Sequence, residues 1–457
     1  MKYLNRAMLV IGLALIVPYG HATDVVEIYL DAQINDPIVG AAKAGYAASQ
    51  EAVPQARALL LPSINASAST SQSERRFPGS RDPLGNSIPS SQFNSHDWNA
   101  SLQQPVINVS RWYSLAGAKS QVEAAGYDLE GTKQDLIVRV VRSYLAVLRA
   151  QDLLDTTEAE VTAVQRQLEQ VQQRFDVGLV AITDVLESQA ASDSAEVRRI
   201  QAAGDHSIFF ETLSTLTGIS YERLNRLSDN LPIVNPSPVD QEEWVRTALD
   251  QNLGIKAARE QLISARKNVR ARASDHLPTI DAQVSHFNNV TGGSEFLGNQ
   301  TASTAFALRF NLPLYNGGAV RSRVKQASAQ AEQSQELLTN QQLTVTRDTR
   351  NLYIAVATDV VRVRARLKAI TSAKSALEAT ETGYEVGTRN IVEVLQAQQF
   401  LFASQFDYAD SRYNYVINLM LLKQAAGALA AADVAELNTF TDPNDQVVRV
   451  VSLQGQR

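Results

Sequence analysis

Apolar residues recur every seven positions along the middle of this chain, at Val140, Val147, Leu154, Val161, Leu168 and Phe175. Val164 and Val171 supply the intervening seam positions over the last turns. A strict period of seven imposes a left-handed supercoil on packed helices. The pattern therefore predicts one helix from Val109 to about Phe175. At 1.5 Å per residue such a helix is roughly 100 Å long, more than an ordinary globular domain is thick. Val363, Ile370, Leu377 and Tyr384 repeat the period and predict a second long helix over Val320–Val386. Each is followed by a shorter helical stretch. One runs from Thr183 to about Thr217 and ends at Gly218. The other carries Phe402, Phe406, Tyr413, Val416 and Met420 on a three-four seam to Gly427.

The joints between these stretches are alike. Val177-Gly178-Leu179-Val180-Ala181-Ile182-Thr183-Asp184-Val185-Leu186 is echoed by Val386-Gly387-Thr388-Arg389-Asn390-Ile391-Val392-Glu393-Val394-Leu395. Gly178 and Gly387 suit the left-handed position just past a helix end. Asp184 and Glu393 suit the first turn of the next helix, where the helix dipole favours negative charge. Each segment reads as the tight turn of a long helical hairpin, and the recurrence reads as an internal duplication.

What precedes each long helix repeats as well. Asp31–Leu60 is Ala-rich with a helical pattern and stops at Leu61-Pro62; Gln241–Ser274 does the same and stops at Leu277-Pro278. Two alternating stretches follow in each half, the mark of half-buried strands. They are Ile64–Ser71 and Asp97–Val106 in the first half, and Thr279–Phe287 and Ala305–Leu314 in the second. Between them lie Phe77–Ser91 and Asn288–Gln300, rich in Gly and Pro or Gly alone, which read as loops. The predicted organisation is a segment 1–22, a first repeat 23–230, a Pro-rich linker 231–239, a second repeat 240–427, and a poorly ordered tail 428–457 without a clear period.

Residues 1–22 read as a signal peptide: Lys2 and Arg6, an apolar run from Ala7 to Val17, then Gly20-His21-Ala22 as a cleavage site. Removing it takes the net charge from −6 to −8, because two basic residues go with it. No later apolar run approaches the roughly 18–20 residues a membrane helix needs. The mature chain therefore either stays soluble outside the cytoplasm or enters a membrane as β-strands. No cysteine is present, which excludes disulfides and thiolate chemistry. The acidic balance argues against nucleic acid as a partner.

Four strands cannot close a barrel, and open sheet edges are not tolerated in lipid. Three chains supply twelve strands, which can close, and twelve helical rods for a hollow cylinder. Predicted strands of about 9–10 residues match the length a tilted strand needs to cross a bilayer.

The segment Gln173-Arg174-Phe175-Asp176-Val177-Gly178-Leu179-Val180-Ala181-Ile182-Thr183-Asp184-Val185 resembles the hairpin turn of the TolC family of outer-membrane exit ducts. So does Thr382-Gly383-Tyr384-Glu385-Val386-Gly387-Thr388-Arg389, and Ser411-Arg412-Tyr413-Asn414-Tyr415-Val416-Ile417-Asn418 is similar to the family's final helix. The resemblance runs from about Asp31 to Gly427. It implies a mainly α fold with β-strands: a homotrimer with a twelve-stranded barrel in outer-membrane lipid, continued by an α-helical coiled-coil barrel in the periplasm. It implies two kinds of protein partner. One is a periplasmic adaptor (membrane fusion) protein; the other is an inner-membrane transporter of RND, MFS or ABC type. The duct would serve tripartite efflux, type I protein secretion, or both.

The same resemblance assigns residues at the hairpin turns. Arg389 would bond Thr183 and Asp184, Tyr384 would bond Asp184, and Gln167 would bond Glu381, together holding the tunnel shut. Gly178, Leu179, Val180, Gly387 and Thr388 would meet the adaptor. The family carries two acidic rings at the tunnel entrance. Here their positions are Glu393 and Gln396, so one ring is neutral. Spacing by three puts both on one helix face.

No catalytic constellation is visible, and no cofactor is expected. Outside the first 22 residues the histidines His96, His206, His276 and His286 show no metal-ligand spacing. No phosphate-cradling Gly loop and no G-x-S-x-G occurs. Two readings from other classes stand beside the duct: a soluble periplasmic coiled-coil scaffold, and an adaptor, which would need a β-rich lipoyl-like segment not visible here.

Overall fold

The computed structural model describes residues 23–88, 90–293 and 296–450. The proposed signal peptide lies outside them. The chain runs α1 (Val25–Asn35), α2 (Pro37–Gln50), α3 (Ala52–Ala58), β1 (Ser63–Arg75), β2 (Ser91–Ile107), α4 (Val109–Asp176), α5 (Ile182–Thr217) and β3 (Arg223–Leu227). It continues as α6 (Gln241–Gln251), α7 (Leu253–Ala273), β4 (Thr279–Gly293), β5 (Phe296–Asn311), α8 (Ala319–Glu385), α9 (Ile391–Ala425), α10 (Ala431–Asn438) and β6 (Thr441–Val448). The two long helices have 68 and 67 residues, as the heptads demand. Val140, Val147, Leu154, Val161 and Val171 of the first seam and Val363 and Tyr384 of the second are buried.

Two compact units divide the chain, and each draws on both sequence repeats. Residues 41–132 and 247–347 form one; of the described residues, 23–40, 133–246 and 348–450 form the other. The first unit contains a four-stranded antiparallel sheet in the order β1-β2-β4-β5. Its helices pack around Ala248, Ile255, Leu262, Leu338 and Val345.

The strands are longer than the alternation predicts: 13, 17, 15 and 16 residues. β2 runs on past Pro105. The ladder passes it through an irregularity and resumes with Ile107 opposite Ile280, the kind of site where a sheet accepts a residue without an N–H. The loop expected over Asn288–Gln300 is mostly strand. Asn288 to Gly293 pair with β2, and Asn299 to Ala302 pair with β4. The pairing with β2 joins segments distant in the chain, the pairing of β4 with β5 closes a local hairpin, and together they override the Gly signal.

The register sorts the sheet into two faces. Ile64, Leu102, Val284 and Phe306 lie in one row and share a face. Leu308 and Phe310 join them and are 72% and 62% exposed. On the opposite face stand Asn65, Ser67, Ser101, Gln283, Ser285 and Arg309, with Phe287 as an apolar exception. β1 and β5 are unpaired edges.

The second unit holds the main core. Tyr144, Leu145 and Leu148 of α4, Phe210 and Leu213 of α5, and Ile28 of α1 are all fully buried there. The tail 428–450 corrects the sequence reading. Rather than being poorly ordered, it forms α10 and β6, and β6 pairs with β3. Val434, Leu437 and Val447 bury into the core. The pattern is too short to show a period, and its partner strand lies more than 200 residues away in sequence. Residues 451–457 lie outside those described.

Candidate functional site

Both hairpin turns belong to the second unit, and both are built the same way. Gly178 and Gly387 each have φ +76°, a conformation that costs any residue with a Cβ. Around the first, Gly178 N–H donates to Phe175 O at 2.8 Å and Leu179 N–H to Arg174 O at 2.8 Å. Around the second, Gly387 N–H donates to Tyr384 O at 3.1 Å and Thr388 N–H to Gly383 O at 2.8 Å. These are the paired bonds of a Schellman end, which satisfy the last carbonyls of a helix.

The two turns pack on one apolar cluster of Val171, Val185, Tyr384, Ile391 and Val394, flanked by Leu168, Phe175 and Val180. Tyr384 is therefore a core residue with a polar end. Its hydroxyl is buried and has no hydrogen-bond partner among the described residues, which is uncommon for a buried donor. Burial raises its pKa, the Arg174 guanidinium opposes that, and the Asp184 carboxylate adds to it, for a net upward shift. Arg174 lies 4.9 Å from the Tyr384 ring centroid, within cation–π reach.

The residues expected to close the tunnel divide into those brought together and those not. The Asp184 charge acts on the Tyr384 hydroxyl, but no hydrogen bond joins the two. Thr183 Oγ1 donates to Asp184 Oδ1 at 3.4 Å. Arg389 instead pairs with Glu393, one turn along its own chain, so the carboxylate expected to stand in an entrance ring is already matched with a cation. Gln167 is buried and Glu381 half-buried, and no bond joins them. Gln396 is exposed beside half-buried Glu393. Leu179 is 69% exposed, and Thr388 stands in solvent on the other turn.

Three contributors escaped the sequence reading. Asn390 caps α9, its Oδ1 accepting from Glu393 N–H at 3.0 Å; the Asn-x-x-Glu pattern was a readable signal for it. Gly383 lies under the Arg389 side chain, where a Cβ would meet Arg389 Cγ at 2.7 Å. The Arg174–Tyr384 contact joins distant segments and leaves no local trace. Among the described residues, no group of three or more His, Asp or Glu is placed to hold a metal.

Comparison with known proteins identifies the family and the fold. Residues 28–219 and 244–428 match the family described as outer membrane efflux protein. The outer membrane protein TolC of Vibrio cholerae is 34% identical over 91% of this chain and 93% of its own length. The outer membrane protein TolC of Escherichia coli is 31% identical over 96% of this chain and 89% of its own. Among solved structures, a membrane protein from Pseudomonas aeruginosa superposes with a TM-score of 0.77 at 18% identity, covering 89% of this chain and 91% of that one.

Proposed function

The chain belongs to the outer membrane efflux protein family, and from that premise we propose that three copies of it close into one duct, opened by a periplasmic adaptor and an inner-membrane transporter. The family is one of outer-membrane channels that extend into the periplasm, not of enzymes. This chain is an exit duct for efflux, for protein secretion or for both. The observation that carries the trimer is the sheet of the first unit. It has an apolar exposed face, a polar opposite face and two unpaired edges. Bare edges are not viable in lipid. Twelve strands from three copies remove every edge, set the apolar faces toward lipid and leave the polar faces around water.

In this reading the turns of the second unit are the periplasmic end. Arg389, Thr183, Asp184, Tyr384, Gln167 and Glu381 hold it closed. Arg389 exchanges its Glu393 partner for Thr183 and Asp184 of a neighbouring copy, and the unpaired Tyr384 hydroxyl bonds Asp184. Gly178, Leu179, Val180, Gly387 and Thr388 receive the adaptor. Glu393 and Gln396 line the entrance, with three carboxylates per trimer where two acidic rings would have six. No step needs a cofactor or catalysis by this chain; the transporter supplies the energy.

The deciding experiment is the mass of the full chain purified in detergent, with and without heating. A species three times the chain mass that dissociates on boiling is expected. A monomer in detergent that stays with the soluble periplasmic fraction of cells would overturn the trimeric barrel in favour of a scaffold.

A further inference from the structure

The sheet carries a polar pair that the duct reading leaves unused. Thr70 of β1 stands opposite His96 of β2, with Oγ1 and the imidazole Nδ1 2.8 Å apart. His286 of β4 stands opposite Thr304 of β5, again with Nδ1 and Oγ1 2.8 Å apart. Thr70 is eight residues past Pro62, and His286 is eight past Pro278. His96 is nine residues before Pro105, and Thr304 is nine before Pro313. The same cross-strand pair thus occupies the same place in both hairpins, with its two members exchanged. If the internal duplication is followed around a barrel, both pairs stand at one level.

That level is a boundary. On the side of the prolines the same face is apolar, with Ile64, Trp98, Phe306, Leu308 and Phe310 exposed. On the side of the loops it carries Gln72, Asn94, Asn288 and Gln300, with Val290 opposite His96 as the exposed apolar exception. Eight residues of strand at about 3.3 Å each, tilted by roughly 40°, climb on the order of 20 Å, most of the ~25 Å apolar band of an outer-membrane barrel. The pairs therefore stand where hydrocarbon gives way to head groups. Trp98 lies beside His286, ring centroids 4.9 Å apart, in keeping with the amphipathic rings that collect at this depth.

With Nδ1 engaged by threonine, Nε2 is the ring nitrogen left, and it has no hydrogen-bond partner among the described residues, His96 being exposed and His286 half-exposed. When the hydroxyl donates to Nδ1, Nε2 carries the proton and is a donor. The nearest carboxylate along this face, Glu74, is held by Arg76 at 2.8 Å, so no free acid on the strand competes for that donor. We propose that the two His–Thr pairs are a head-group belt, each imidazole Nε2 donating to a phosphate oxygen of a lipid in the outer leaflet. The inference rests on the barrel reading above. It goes further in naming the ligand as a phosphorylated lipid and the binding atom as Nε2.

Native mass spectrometry of the detergent-purified full chain tests it, with phosphatidylglycerol as the phosphorylated probe and a neutral galactosyl diacylglycerol as the probe lacking phosphate. His96→Phe/His286→Phe keeps the rings and removes the donors. Phosphatidylglycerol retention should fall about three- to tenfold, the range for losing one ordinary hydrogen bond made in competition with water, with galactolipid retention unchanged. Thr70→Val/Thr304→Val unlocks the rings and should lose part of that retention. Equal phosphatidylglycerol retention in wild type and the Phe variant overturns the belt, as does a parallel loss of both lipids. Flotation with phosphatidylglycerol vesicles separates the two levels of the reading. A protein that floats without lipid preference sinks the belt alone, and one that does not float sinks the barrel with it.

Discussion

At Val177–Asp184 and at Val386–Glu393 the chain makes one turn twice with different side chains. The backbones agree to the shared φ of +76° at Gly178 and Gly387 and to the same two bonds around each glycine. The side chains do not agree. The second turn is satisfied within itself: Asn390 caps α9, Arg389 pairs with Glu393, and Thr388 Oγ1 donates to Gly383 O at 3.0 Å. The first has Ala181 at the cap position, with no side-chain bond to the helix. Its polar groups, Thr183 and Asp184, bond only weakly to each other. A duplicated turn keeps its backbone because glycine geometry tolerates little else. Its side chains are free to diverge, and here one copy closes its own bonds while the other leaves Thr183 and Asp184 with only their weak mutual contact.

The largest test of that contrast goes through what the turns share. Gly178→Val and Gly387→Val each force a Cβ into the left-handed region, which costs about 1–2 kcal/mol or more. Hydrogen exchange at Leu179 and Thr388 should speed up by a similar factor in each. A response at one turn alone would show that the backbones are not held equivalently.

Next in size are the caps. Asn390→Ala should destabilise the start of α9 by about 1 kcal/mol, and Ala181→Asn should stabilise the start of α5 by about 0.5–1 kcal/mol. Ala181 already has the extended backbone of a cap, with φ −82° and ψ 157°. The two substitutions should move amide protection of their helix N-termini in opposite directions. Movement in the same direction would mean that the second turn is not the self-satisfied one.

The smallest energetic effect is expected from the exposed ion pair, and the largest functional one from the same residue. Arg389 is 58% exposed where it meets Glu393, and such pairs contribute about 0–1 kcal/mol. Arg389→Ser should therefore barely change exchange at the second turn. In planar bilayers it should raise conductance, and Arg389→Ser/Tyr384→Phe should raise it again. Wild-type conductance in the double variant would refute a closing role for these side chains.

Much of this was written locally in the sequence. The heptads at Val140–Phe175 and Val363–Tyr384 specify long helices and their buried seams, because a helix presents the same face every seven residues whatever lies opposite. Gly178, Gly387 and Gly218 mark turns because few other residues take a positive φ. Alternation at Ile64–Ser71 and Thr279–Phe287 set the sheet's two faces, since a strand turns its side chains by a period of two. Asp184 and Glu393 fell in first turns as their dipole preference requires.

What the tertiary structure decided was partnership. Asn288–Gly293 became strand because β2 and β5 offer their N–H and C=O groups on both sides, a gain larger than the local Gly preference for a loop. The tail became α10 and β6 because β3 and the core around Val434 and Val447 accept it. Within the chain Arg389 pairs with Glu393, and Tyr384 went into a cluster under Arg174. Periodicity states which face of an element is buried. It carries no information on which of many suitable surfaces will bury it, because that choice is made by hydrogen bonds and contacts between residues far apart in the chain.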